Sequence, residues 1–139
     1  MQSSAHQSLR ADEALRPEAK TATGNGLTVT KSQDAEEALV VLQIGAVTGT
    51  TPTLDVKMQD SPDDSVWTDI TGAAMAQKTA SHADKIYVGR VNWKHKAKHL
   101  RCVFTIGGTT PSFTISAAII QGAAGTLPTA QANTNEFSV

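Results

Sequence analysis

His95 and His99 stand four residues apart, the spacing that lets two imidazoles share a zinc ion when both lie on one face of a helix. Lys94, Lys96 and Lys98 interleave them and would repel a cation, and no third Cys, Asp or Glu ligand stands nearby, so the sequence predicts no metal site. The same stretch, headed by Trp93, offers cations for phosphates and one aromatic for a base. A single aromatic, in a chain of formal net charge −1, makes nucleic acid an unfavoured partner. Asp60, Asp63, Asp64 and Asp69 carry the hard oxygens calcium prefers, but the EF-hand glycine and closing Glu are missing, and Ser61-Pro62-Asp63-Asp64-Ser65 reads as a turn. Ser, His and Asp are all present, yet none sits in a nucleophile-elbow context. The reading is a non-enzyme with no catalytic residue and no cofactor. Cys102, the single cysteine, lies within an apolar run and is expected to be a small core residue.

Charge is separated along the chain although it nearly balances overall. From Lys85 to Arg101 the charged residues are Lys85, Arg90, Lys94, Lys96, Lys98 and Arg101, with no acid among them. Between Asp34 and Asp69 the balance reverses, with eight acids against Lys57 alone. Such separation steers association between copies or onto a charged surface. Lys94, Lys96, Lys98 and Arg101 are therefore the candidate protein-interaction residues.

The elements that must position these groups read as strands. The phrase G-T-T-P-[ST]-[LF]-x-[VI] occurs at Gly49 to Val56 and again at Gly108 to Ile115, each time between apolar runs. Gly and Pro mark turns there, so each copy is expected to form a hairpin, with one copy in each of two sheets. Leu27 to Thr30 alternates briefly, and Ala38 to Ile44 is apolar on both faces. Leu54, Val56 and Met58 alternate with Asp55, Lys57 and Gln59, which predicts one buried and one wet face. Further strands are expected from Trp67, over Lys85 to Val91, over His99 to Thr105 and over Ser112 to Gln121. About eight short strands indicate an all-β, antiparallel sandwich of jelly-roll type. Its core is expected to hold Leu54, Val56, Met58, Leu100, Cys102, Phe104, Phe113, Ile115 and Ile119.

A chain of 139 residues is one domain, long enough to fold without staples. Residues 1–26 mix Ser, Gln, Ala and charges without strand periodicity and read as an N-terminal arm, residues 27–121 as the sandwich, and residues 122–139, rich in Gly, Ala, Thr and Asn, as a C-terminal arm. Arms of this composition are expected to fasten to neighbouring chains. No apolar run is long enough to span a bilayer, and the residues after Met1 are polar, so no membrane association is expected and synthesis is placed in a cytoplasm.

Four stretches, T-A-T-G-N-G at Thr21 to Gly26, G-A-V-T-G-T-T-P-T-L-D-V-K-M-Q-D-S at Gly45 to Ser61, W-T-D-I-T-G-A-A at Trp67 to Ala74 and G-G-T-T-P-S-F-T-I-S at Gly107 to Ser116, resemble a family of small tailed-phage and prophage head proteins. The resemblance implies a head decoration, or cement, protein that binds the outer surface of an expanded capsid. Its partners would be the phage major capsid protein and sister copies in a trimer or dimer, and its place the virion exterior. The matching motifs are turns and core strands, so no functional residue is carried across. The segment from Lys94 to Arg101 is more basic than the family pattern. A virion-surface module that binds host glycans through exposed aromatics among Trp67, Tyr87 and Trp93 is the alternative, as is another structural virion role.

Overall fold

Turn residues do not always end a strand, and the repeated phrase is the case in point. The computed structural model describes residues 9–33, 35–122 and 134–139, and its regular elements there are β-strands apart from two 3-10 turns. They are β1 (Leu9–Lys20), β2 (Gly24–Asn25), β3 (Val29–Thr30), β4 (Glu37–Ser61), β5 (Thr68–Ala74), β6 (Lys85–Asn92), β7 (His99–Gly122) and β8 (Thr134–Ser138). β4 and β7 run through the repeated phrase without leaving the ladder and pair antiparallel from Glu37 with Gly122 to Ser61 with His99. The two copies are therefore not hairpins in separate sheets. They face each other across one ribbon, with Thr50 opposite Thr109 and register shifts on both sides.

The shared bend explains the residues of the phrase. Gly49 and Gly108 adopt φ of 110° and 111°, and Thr51 and Thr110 both adopt 47°. The matching values show that the two copies bend in the same way. A β-carbon on Gly49 would lie 2.7 Å from the Thr110 carbonyl oxygen, and one on Gly108 would lie 2.7 Å from that of Thr51. Glycine is required at both places by conformation and by the close approach of the opposite backbone. Local bulging turns each long strand from one layer into the other.

Two layers result. The upper layer has the order β1, the second half of β7, the first half of β4, β6 and β8. In the lower layer β2 and β3 flank the first half of β7, which pairs with the second half of β4, and β5 closes the far side. One ribbon serving both layers is the jelly-roll-like feature of this sandwich. All pairs are antiparallel except β6 with β8, which is parallel. The nine expected core residues are all buried, together with Ala38, Val40, Leu42 and Trp93, in one cluster drawn from both layers. Gln121 ties the layers at one end, accepting from Ser32 N at 2.7 Å and donating to Asp12 Oδ2 at 2.7 Å and to the Thr30 carbonyl at 3.2 Å.

Both expected arms contribute strands, although residues 1–26 show no strand periodicity in sequence. β1 lies along β7 with Ala14 and Leu15 buried. Its periodicity is hidden because the register shifts between Glu13 and Leu15 and again between Leu15 and Glu18. Pro17 is tolerated because β1 is an edge strand, where a missing N–H costs no ladder bond. β8 contributes Phe137 to the core. The remaining parts of the two arms, residues 1–8 and 123–133, lie outside the described residues.

Candidate interaction surface

Trp93 organises the basic segment. It is fully buried in a 3-10 turn after β6, and its indole N–H donates to the Ala97 carbonyl at 2.8 Å. Asn92 caps the turn by accepting from Lys94 N. The Trp is thus an anchor, and the lysines radiate from it. Lys94 and Lys98 are exposed and Lys96 is half-buried.

Acids absent from the local sequence arrive from elsewhere in the fold. Glu36 Oε1 lies 3.7 Å from Lys94 Nζ, and Asp60 Oδ2 accepts from Ala97 N at 2.9 Å. Lys31, which sequence proximity cannot reveal, joins the segment by donating from Nζ to the Trp93 carbonyl at 3.1 Å. Lys96 and Lys98 are in no ion pair among the described residues. Arg101 has a different setting. It is on β7, donates from Nε and Nη2 to Gln59 Oε1 at 2.9 and 2.8 Å, and lies 4.3 Å over the Trp67 ring. The four candidates therefore split into a lysine cluster and a sheet-bound Arg101. His95 and His99 are not on one helical face either, because His95 ends the three-residue turn and His99 begins β7, with Nδ1 against Thr30 Oγ1 at 3.0 Å.

The acidic residues are largely occupied in turns and sheet pairs. Asp63 Oδ1 accepts from Ser65 N and Val66 N at 2.9 and 3.0 Å and also from Ser61 Oγ, as expected for a turn-forming Asp. Those backbone donors hold its carboxyl well below the usual carboxylate range. Asp64, at φ 60°, accepts from Thr28 Oγ1. Asp69 accepts from Lys57 Nζ at 2.8 Å and Gln59 Nε2 at 2.7 Å, and the Lys57 bond is the main cause of its lowered pKa. Burial pushes the Cys102 thiol up to about 12, so it holds no thiolate at neutral pH.

The outer surfaces of the two layers differ. On the lower layer Lys57, Gln59, Asp69, Arg101 and Trp67 form the polar network just described. On the upper layer Leu39 pairs with Ile120, and Val41 pairs with Ala118 and Val88. Leu39, Val41, Ala118 and Ile120 are half-buried. Their strand neighbours Val40, Leu42, Ala117 and Ile119 point into the core, so alternation places these four on the outside. A shallow groove of about 320 Å³ crosses this face, lined by Asp12, Glu13, Val41, Gln43, Ser116 and Ala118 among others. No sequence signal distinguished this face, because Ala38 to Ile44 reads as apolar on both sides.

Of the aromatics that a sugar-binding site would need, Trp93 and Tyr87 are buried and Trp67 is half-buried with Arg101 over its ring. Among the described residues no cluster of three His, Cys, Asp or Glu could hold a metal, and no helix is long and apolar enough to cross a membrane.

No protein-family model and no curated protein matches the chain. Solved structures are similar in fold. A chain from the infectious bursal disease virus Gx strain structure aligns with TM-score 0.50 and 10% identity, over 86% of this chain and 33% of that one. The SPBc2 prophage-derived protein YomS aligns with TM-score 0.46 and 12% identity over 81% of this chain and 92% of its own. A Clostridium thermocellum xylanase chain with CBM22-1 and GH10 modules aligns with TM-score 0.45 and 11% identity, over 75% of this chain and 20% of that one. The neighbours include a prophage-derived protein and a virus structure, and what the virus chain shares with this protein is the β-sandwich.

Proposed function

We propose that this protein is a non-enzymatic structural component of a phage particle, a decoration or cement protein that seats the outer face of its upper layer on the major capsid protein and adds contacts between neighbouring copies. The observation that carries the reading is the contrast between the layers. One outer face carries an apolar strip of Leu39, Val41, Ala118 and Ile120 between the Glu37–Arg90 ion pair and the Gln43–Ser116 hydrogen bond, while the other is a polar network. An apolar sheet face flanked by polar residues suits a macromolecular partner better than a small substrate. The phage context comes from the motif resemblance across Thr21 to Ser116. Lys94, Lys96 and Lys98 would add rim charge that speeds encounter with an acidic surface. Mechanically, a protein that binds only the intact shell stabilises it by the binding free energy, and many weak contacts on one particle act together.

Quantitative binding to expanded heads tests the proposal. Val41→Lys places a charge on the upper face and is expected to abolish occupancy. Lys94, Lys96 and Lys98 changed together to Gln are expected to slow association at low salt and to matter little at high salt. Full occupancy by the Val41→Lys protein, with its fold intact by circular dichroism, would overturn the docking face.

A further inference from the structure

The edge of the upper layer holds a groove built to receive a strand. β8 lies parallel along β6, with Gly89 opposite Phe137 and Arg90 opposite Ser138. Gly89 is a notch for the Phe137 ring, since a β-carbon there would lie 2.2 Å from the ring edge. Beside it, Lys78 is buried to 2% exposure, and its ammonium meets Glu136 Oε1 at 2.5 Å and sits 3.9 Å over the Tyr87 ring. Glu136 Oε2 also accepts from Ala76 N at 3.0 Å. Backbone bonds from Asn92 N to the Val139 carbonyl and from Val139 N to the Arg90 carbonyl complete the fit. A strand that fills this groove buries the Lys78 ammonium and must bring it a counter-charge, so the groove favours an acidic residue followed by an aromatic.

The chain that leads to β8 does not fix whose strand fills the groove. β7 and β8 point the same way, separated by β4 and β6, and eleven residues, 123–133, join Gly122 to Thr134. From the register, Gly122 is level with Glu37 and Asn92, while Thr134 is level with Tyr87. A same-chain connection must therefore run back by about 17 Å and across by about 14 Å. Eleven residues reach up to about 40 Å when extended, far enough for the groove of an adjoining molecule as well.

We propose that this groove is a strand-exchange site, in which β8 of a second copy of the chain replaces the chain's own when copies are crowded. Both arrangements bury the same contacts, so they differ mainly in how the linker runs and in effective concentration. A link of this length gives an effective concentration of about 1 mM, and exchange becomes appreciable as copies approach that density. The proposal goes beyond the virion reading and is tested without particles.

Arg90 and Ser138 are paired and both exposed, which suits a disulfide trap. The single variants Arg90→Cys and Ser138→Cys, on differently sized tags, would be unfolded, mixed, refolded and oxidised with glutathione. Cys102, buried with a raised pKa, stays out of the exchange. A disulfide between the two variants requires β8 of one copy in the groove of the other, and its yield is expected to rise by roughly fiftyfold between about 10 μM and about 1 mM. Closure of the Arg90→Cys/Ser138→Cys double variant within one chain at every concentration, with no cross-linked pair from the mixture, would overturn the proposal. Should either variant fail to fold, the wild-type chain refolded at about 1 mM and sized by light scattering decides, a monomer alone refuting exchange.

Discussion

The upper and lower layers are built on halves of the same two strands, yet the upper one sets an apolar strip between its outward polar pairs and the lower one does not. Below the bend, Lys57, Gln59 and Arg101 bond to side chains on their own sheet or its neighbouring strand. Above it, Leu39, Val41, Ala118 and Ile120 present methyl groups. The inner faces show no such contrast, since Phe104 of the lower layer and Phe113 of the upper layer join one core. A common core with unlike outer faces means that stability is shared between the layers, while under the proposed function recognition falls to one of them.

The strongest test of the shared core is truncation on either side of the bend. Phe113→Ala and Phe104→Ala are each expected to cost about 3–5 kcal/mol in equilibrium unfolding, because both remove a buried ring. A large loss for one and a small loss for the other would show that the layers do not share their stability. Glu136→Gln comes next, with an expected loss of roughly 3 kcal/mol because the Lys78 ammonium keeps its burial and loses its counter-charge. Lys78→Met together with Glu136→Gln should recover much of that loss, and urea denaturation would measure both.

Outer-face substitutions should move recognition more than stability. Ile120→Lys is expected to cost under about 1 kcal/mol, because a lysine stem can lie along the sheet with its ammonium in water. It should nevertheless remove particle binding. On the lower face Gln59→Ala breaks the bonds to Arg101 and Asp69 and is expected to cost about 1 kcal/mol, with particle binding retained. Loss of binding by the lower-face variant and retention by the upper-face one would reverse the assignment.

The smallest expected effect is on acid stability. Asp63 has its folded pKa depressed by the backbone N–H groups of Val66 and Ser65. It therefore contributes stability that is present above the ordinary carboxylate pKa and is lost as pH falls toward the folded value. Asp63→Asn should flatten the acid limb of a melting-temperature profile below about pH 4 and leave it little changed at pH 7. An unchanged acid limb would show that the turn draws nothing from the charge.

Much of the fold was legible because alternation is a local property. Leu54, Val56 and Met58 had to share a face once that segment became a strand, and the turn at Ser61 to Ser65 had to reverse it into β5. The basic segment was equally plain as a run of lysines. Its acidic neighbours were not, because Glu36 and Asp60 reach it from distant parts of the chain. β1 escaped notice because two register shifts and Pro17 break its period. β8 escaped because five residues after a Gly- and Thr-rich stretch give too short a pattern.

The sequence by itself determined that the domain is all-β, that nine named side chains enter the core, and that one phrase recurs with the same glycines. These follow from steric preference and side-chain period, which act over a few residues. Only the tertiary structure decided that the two phrases meet across one ribbon, that Lys78 and Glu136 form a buried pair, and that the upper layer carries the apolar outer face. Those outcomes depend on which strands become neighbours, a choice set by burial summed over the whole domain that no window of the sequence contains.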